Sequence, residues 1–216
     1  MRNMEQARFN MVEQQIRPWD VLDIRVLDLL SEVKREQFVP PAHKEMAFMD
    51  TEIPLGHDVC MWQPRVEARV LQELHIQPGD HVLEVGTGSG YLTALLSRLA
   101  KKVTSVEIVP ELRAFAEKNL AARRIDNVTL ALGDAAQGWP GTYDVIVLTG
   151  SVPVLPEAFK KSLNPGGRLF AIVGDAPAMQ AKLITCVAPG VFESKTLFET
   201  NIALLQNALQ PKRFVF

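Results

Sequence analysis

The stretch EVGTGSG, Glu84 to Gly90, decides how this chain is read. It closes the apolar run HVLEVG and opens YLTALLSRLA, where Leu92, Leu95, Leu96 and Leu99 recur at the spacing of one helical face. Its glycines, Gly86, Gly88 and Gly90, let the backbone turn tightly between a strand and a helix and approach a ligand without side chains intervening. The same rhythm continues outward. KVTSVEI reads as a strand, PELRAFAEKNLAARR as a helix with Pro110 near its first turn, and NVTLAL as a strand. YDVIVLTG is a further strand, LPEAFKKSL a helix, and RLFAIVG a strand entered through the turn NPGG. Such alternation predicts a doubly wound α/β fold, a mostly parallel sheet with helices on both faces. AKLITCVA and KTLFETNIALL follow without a helix between them, which predicts an antiparallel hairpin at one edge.

Upstream, residues 1 to about 55 read as helical. In VLDIRVLDLLSEV, the positions Leu22, Val26, Leu29, Leu30 and Val33 fit one face, and Asp20 is placed to cap the start. FVPP ends that pattern, because proline lacks a donor and fixes its backbone angle. GHDVCMWQP, Gly56 to Pro64, reads as a turn-rich loop that is unusually apolar for a surface connection, carrying Val59, Cys60, Met61 and Trp62 in a row. VEARVLQEL adds a helix with Val66, Val70, Leu71 and Leu74 inward. The chain therefore divides into a helical extension with its loop, residues 1–78, and an α/β core, residues 79–216, in one compact unit.

The 216 residues suit one domain with a short extension, and 47% hydrophobic with 22% charged residues is ordinary for a soluble protein. A net charge of -2 gives no reason to invoke nucleic acid or acidic lipid. Cys60 and Cys186 form no metal-type spacing and read as reduced thiols in a cytoplasmic chain, so no metal is expected. No apolar run approaches the roughly 20 residues of a membrane span, and MRNMEQARFNMVEQQ has no signal-peptide apolar region.

The ligand of the glycine turn follows from its neighbours. A dinucleotide fingerprint starting at Gly86 would need its last glycine at position 91, which is Tyr91. Glu84 beside the turn is poorly placed for a pyrophosphate but suits an ammonium group with a neighbouring sulfonium, and S-adenosylmethionine carries both. Glu107 ends the second strand, where a carboxylate can accept from both ribose hydroxyls, and Asp134 ends the third, where it can accept from the adenine amino group. The expected cofactor set is Glu84, Gly86, Thr87, Gly88, Ser89, Gly90, Glu107, Ile108, Asp134 and Ala135. The bland alternative makes Glu107 and Asp134 solvated turn acids. No catalytic acid or base is assigned. His57 reads as a loop-orienting residue, His43, His75 and His81 have no ligand-like partners, and Ser151 reads as a turn-stabilising hydroxyl.

The order VLEVGTGSGY, VTSVE, GD, YDVIVLTGS and NPGGRL resembles a class I methyltransferase. MVEQQI, FVP, and IPLGH with a proline shortly after resemble protein-L-isoaspartate O-methyltransferase, from about residue 8 to 205. That resemblance implies the strand order 3-2-1-4-5-7-6, with the ligand across the switch between strands 1 and 4. It implies that the segment after IPLGH folds over the cofactor and forms the acceptor pocket, with His57, Cys60, Met61, Trp62 and Gln63 as substrate contacts. The family's segment reads like GHGQTISQP, and aligning Gly56, His57 and Pro64 puts its serine at Trp62, its threonine at Cys60 and its isoleucine at Met61. The family's last strand carries FVPL where this chain has IALL, Ile202 to Leu205, followed by QNALQPKRFVF. The implied partner is a peptide or protein carrying isoaspartate, in a repair reaction. Two alternatives stay open: the same fold acting on a different, less polar acceptor, and a non-catalytic S-adenosylmethionine-binding module.

Overall fold

The computed structural model describes residues 2–211; the end of the tail, residues 212–216, lies outside the described residues. The chain starts with α1 (Arg2–Met11), which runs into a π-type turn (Val12–Ile16) and a 3-10 turn (Arg17–Trp19). Asp20 does not cap the next helix. It sits in the left-handed region at φ 66 and closes the 3-10 turn. The cap of α2 (Ile24–Glu32) is Asp23, whose carboxylate accepts the Arg25 N–H at 2.9 Å. Starting the helix later leaves Leu22 outside its apolar face: Leu22 is 63% exposed while Val26, Leu29 and Leu30 are buried. Two 3-10 segments (Arg35–Gln37 and Pro41–Met46) then lead to GHDVCMWQP.

That segment is a β-hairpin rather than a loop. β1 (Ile53–Gly56) pairs antiparallel with β2 (Val59–Met61), with Ile53 opposite Met61. His57 and Asp58 form the turn at φ 54 and 58, the positive pair that a tight two-residue hairpin demands. Val59, Cys60 and Met61 are thus strand residues, whose alternate side chains have a packed side to face. α3 (Pro64–Leu74) follows directly, with Val66, Val70, Leu71 and Leu74 buried as its spacing predicts.

The core alternates as its periodicities require: β3 (His81–Val85), α4 (Tyr91–Leu99), β4 (Lys102–Glu107), α5 (Pro110–Ala121), β5 (Val128–Leu132), β6 (Tyr143–Val152), α6 (Glu157–Lys161), β7 (Leu163–Asp175), β8 (Ala178–Ala188) and β9 (Val191–Thr200). The sheet runs β5-β4-β3-β6-β7-β8-β9. β5 through β7 in that order are mutually parallel, and β8 and β9 are antiparallel additions at one edge. Counted from β3, the order is 3-2-1-4-5-6-7, so the expected 3-2-1-4-5-7-6 is corrected at its end. The cause is the connection: Ala176 and Pro177 alone join β7 to β8, with Asp175 opposite Ala178. A hairpin that short forces its two strands to be neighbours. NPGG is also not a turn ahead of the strand. It lies within β7, where the pairing shifts between Tyr143–Leu163 and Val145–Arg168. IALL leaves the sheet after Thr200.

Both faces of the sheet are covered. Along β6, Val145 and Val147 belong to one apolar cluster, and Ile146 and Leu148 to another, as side-chain alternation dictates. The first cluster includes Met11, Val26, Trp62, Leu95 and Phe170, so the N-terminal segment packs with α3 and α4 on one face. Truncating a core member such as Phe170, which is fully buried, would cost about 3–5 kcal/mol. No helix among the described residues is long and apolar enough to cross a membrane.

Candidate active site

β3 pairs in parallel with both β4 and β6, so the chain leaves it toward opposite sides of the sheet. A crevice opens at the carboxyl ends of strands at such a switch point. The glycine turn lies there. Gly86 is at φ 96, and a Cβ on it would strike the hydroxyl of Thr149, which donates to the carbonyls of Val85 and Gly86 at 2.8 and 2.7 Å. Gly90, at φ 81, precedes α4, and a Cβ there would come within 3.2 Å of the Ala116 side chain. One glycine thus admits the end of β6 and the other lets α5 close against α4.

Glu84 points to the face covered by α4 and is completely buried. Its Oε2 accepts hydrogen bonds from the hydroxyls of Thr93 and Ser105 at 2.5 and 2.6 Å. Its Oε1 has no partner among the described residues, although it is buried. Burial pushes the carboxyl up to about 8, the two hydroxyls pull it back, and Glu107 adds repulsion. An unsatisfied buried carboxylate oxygen is costly and points to a donor or cation supplied from outside the chain.

Glu107, also buried, is held by the backbone: its Oε2 accepts from Gly88 N–H at 2.9 Å and its Oε1 from Val109 N–H at 3.0 Å. Each oxygen keeps acceptor capacity for a diol. Asp134 accepts from Ala136 N–H at 2.9 Å and from the Asn207 side chain at 2.8 Å. Glu107 is thus built into the site, whereas Asp134 is exposed and bonds Ala136 two residues on, so it lines the cleft as a solvated turn acid.

These groups line a cleft with about 970 Å³ of empty space, counting the part open to solvent, a size suited to a small-molecule cofactor. Of the cofactor residues expected from sequence, all but Gly90 line it; Gly90 is occupied with Ala116. Of the expected acceptor contacts, Cys60, Met61 and Trp62 line the cleft. His57 is exposed in the hairpin turn, and Gln63 sits at the start of α3 and accepts from Arg65 at 3.1 Å; neither reaches the lining. Trp62 is 6% exposed, with its ring edge-on to Phe170 at 6.0 Å between centroids. Its pocket and core roles therefore coexist.

Further lining residues escaped the sequence reading. Thr149 and Gly150 come from the end of β6, Glu52 and Glu67 flank the hairpin, and Ile202–Gln206 form another wall. Glu67 pairs with the wholly buried Arg35; burial lifts its carboxyl and the guanidinium pulls the other way. Ser151 explains the C-terminal wall. Its N–H donates to Ala203 O at 2.9 Å, its O accepts from Leu205 N–H at 2.8 Å, and its hydroxyl reaches Ile202 O at 3.2 Å. Ser151 stabilises chain crossing, not a turn. Thr149 and Gly150 close the run YDVIVLTG, which reads as a strand and so opens them to the strand-end rule, although β6 continues to Val152; residues 202–206 carry no spacing signal.

The family model for Protein-L-isoaspartate(D-aspartate) O-methyltransferase (PCMT) matches residues 6–203. Protein-L-isoaspartate O-methyltransferase 1 of Anaeromyxobacter sp. (strain Fw109-5) is 44% identical over 163 residues, covering 74% of this chain and 77% of that protein. The protein-L-isoaspartate O-methyltransferase of Brucella anthropi is 35% identical over 185 residues, 85% of each chain. In fold, the chain resembles a Plasmodium falciparum structure described as a beta-aspartate methyltransferase in complex with S-adenosyl-L-homocysteine, with a TM-score of 0.79, 22% identity, and coverage of 94% of this chain and 97% of that one.

Proposed function

Since the chain belongs to the protein-L-isoaspartate(D-aspartate) O-methyltransferase family, we propose that it methylates the carboxyl group of isoaspartyl residues in damaged peptides and proteins, the step that opens their repair. It is an S-adenosylmethionine-dependent methyltransferase. The observation that carries the reading is the unpartnered, buried Glu84 Oε1 at the switch-point cleft, which fits the ammonium group of that cofactor. The cleft lining includes five acids, Glu52, Glu67, Glu84, Glu107 and Asp134, and no Lys, Arg or His among the described residues. Such a lining suits a cationic ligand and disfavours a dinucleotide pyrophosphate.

When bound, S-adenosylmethionine supplies a methyl group activated by its sulfonium. The chain's own residues bind, orient and keep water out. Glu84 receives the ammonium, Glu107 the ribose hydroxyls and Asp134 the adenine amino group. Gly86 and Gly88 keep the turn free of side chains. Isoaspartyl carboxylates are ionised at pH 7, so the acceptor needs no general base. Alignment of the reactants and exclusion of water then account for catalysis. The hairpin, with Cys60, Met61 and Trp62 on the cleft, forms the water-excluding wall. Trp62 stands where the family's serine falls and offers its indole N–H as the polar handle.

The test pairs calorimetry of S-adenosylhomocysteine with methyl transfer to matched isoaspartyl and aspartyl peptides. Methylation confined to the isoaspartyl peptide supports the reading. Tight cofactor binding with neither peptide methylated favours a second reading, a less polar acceptor, which the apolar Met61 and Trp62 support. We place the enzyme in the cytoplasm on the support of its two free thiols, Cys60 and Cys186.

A further inference from the structure

Four of the five cleft acids are already engaged. Glu84 is bonded to Thr93 and Ser105, Glu107 to backbone N–H groups, Asp134 to Ala136 and Asn207, and Glu67 to Arg35. Glu52 differs. Its carboxylate makes no ion pair and no hydrogen bond among the described residues, yet it lines the cleft from a half-buried position. The hairpin register fixes where it stands: Ile53 is opposite Met61, so Glu52 and Trp62 flank the hairpin's open end together. Cys60 is close enough to feel its charge. Glu52 therefore belongs to the acceptor half of the cleft, next to the apolar Met61 and Trp62.

An isoaspartyl carboxylate entering there meets a like charge and, among the described residues, no lysine, arginine or histidine on the lining to offset it. A cation carried by the peptide itself resolves the conflict. Beside apolar walls, water screens such a pair less than it would on an open surface. Burial also lifts the Glu52 carboxyl, as expected of an acid with no partner.

We propose that Glu52 is a specificity-determining residue that receives the lysine or arginine side chain flanking the isoaspartyl site, so that this enzyme selects isoaspartate in basic sequence contexts. This rests on the acceptor reading given above and deepens it. A general-base role has no purpose for an acceptor that is already ionised.

The experiment uses three peptides identical except for Lys, Gln or Glu next to the isoaspartyl residue. Each is measured twice with the full chain: for methyl transfer, and for equilibrium binding in the presence of S-adenosylhomocysteine. The lysine peptide should exceed the glutamine peptide about tenfold in both kcat/KM and affinity, within the range of charge-assisted contacts, with the glutamate peptide lowest. Glu52→Gln should erase the ranking and Glu52→Lys should invert it, while S-adenosylhomocysteine affinity and Tm report that each variant is folded. An unchanged ranking in Glu52→Gln overturns the proposal. So does an equal drop in kcat for all three peptides, which would put Glu52 at the reacting group. If none of the peptides is bound or methylated while S-adenosylhomocysteine still binds, the isoaspartyl reading itself fails and the inference falls with it.

Discussion

Arg35 donates a 2.6 Å hydrogen bond from Nη2 to the carbonyl oxygen of Trp62, and through Nη1 it ion-pairs with Glu67. The guanidinium also lies 5.0 Å from the centre of the Tyr91 ring. One wholly buried cation thus ties the N-terminal segment to the end of the acceptor hairpin, to α3 and to the first residue of α4.

Removing that cation alone leaves Glu67 buried without a counter-charge. Arg35→Met should cost about 3–5 kcal/mol in urea denaturation, whereas Arg35→Met with Glu67→Leu should recover much of the loss. A single substitution costing under about 1 kcal/mol would mean that the pair does not hold these segments together.

Glu107 stands between the backbone of the glycine turn and the expected ribose. Glu107→Ala should weaken S-adenosylmethionine binding by about 1.5–3 kcal/mol, the range for hydrogen bonds to a charged group. Calorimetry on the folded variant reads this directly, and unchanged affinity would place the ribose elsewhere.

The carboxyl of Glu84 rises from 4.5 to about 8 on folding, mainly through burial. Between those values the native state binds more protons than the unfolded chain, so stability is full below about 4.5 and is lost as pH rises through about 8. The ligand-free protein should therefore lose Tm from about pH 5 to about 8, and Glu84→Gln should reduce that slope. An ammonium group reverses the balance by favouring the ionised carboxyl. At pH 6.5, where an α-amino group is already charged, S-adenosylmethionine binding should release close to one proton in buffers of different ionisation enthalpy. Equal heats in all buffers would show that Glu84 does not meet the ammonium.

Trp62→Ser places a hydroxyl at the acceptor pocket but removes a ring packed against Phe170. Isoaspartyl methylation should rise about tenfold, consistent with a hydrogen bond to a charged acceptor, with cofactor affinity nearly unchanged. Stability should fall by about 3–5 kcal/mol, as for other large core truncations, so the assay belongs at low temperature. A stable variant without any gain in methylation would assign Trp62 to the core alone.

Much of this architecture was legible in sequence because local physics and global fold agree there. Leu92, Leu95 and Leu96 share one helical face and are all buried, and the glycines of EVGTGSG supply the positive φ that its tight turn uses. The misreadings share a different cause. His57 and Asp58 adopt positive φ without being the Asn-Gly pair that signals a hairpin, so the hairpin read as a loop. Asp20 and Asp23 are equally able to cap, and only the bonds from Leu22 and Asp23 N–H to Gln72 Oε1, at 2.7 and 2.9 Å, fix the start of α2. The sheet order turned on a two-residue connection. Glu52 and residues 202–206 reach the cleft through tertiary contacts that periodicity does not register.

The crossing of Ile202–Gln206 past Ser151 has a consequence for synthesis. In a chain still being translated, β3, α4 and β4, with the glycine turn, Glu84 and Glu107, are made long before position 202. Such a chain carries most of the cofactor's anchoring groups but lacks the wall that Ser151 pins across the strand ends. Ligand affinity should mature late, as the last wall settles, rather than with the strands that carry the recognisable motif. A ribosome-arrested series of increasing length, probed with S-adenosylhomocysteine, should show a step in binding when Ile202–Gln206 emerge.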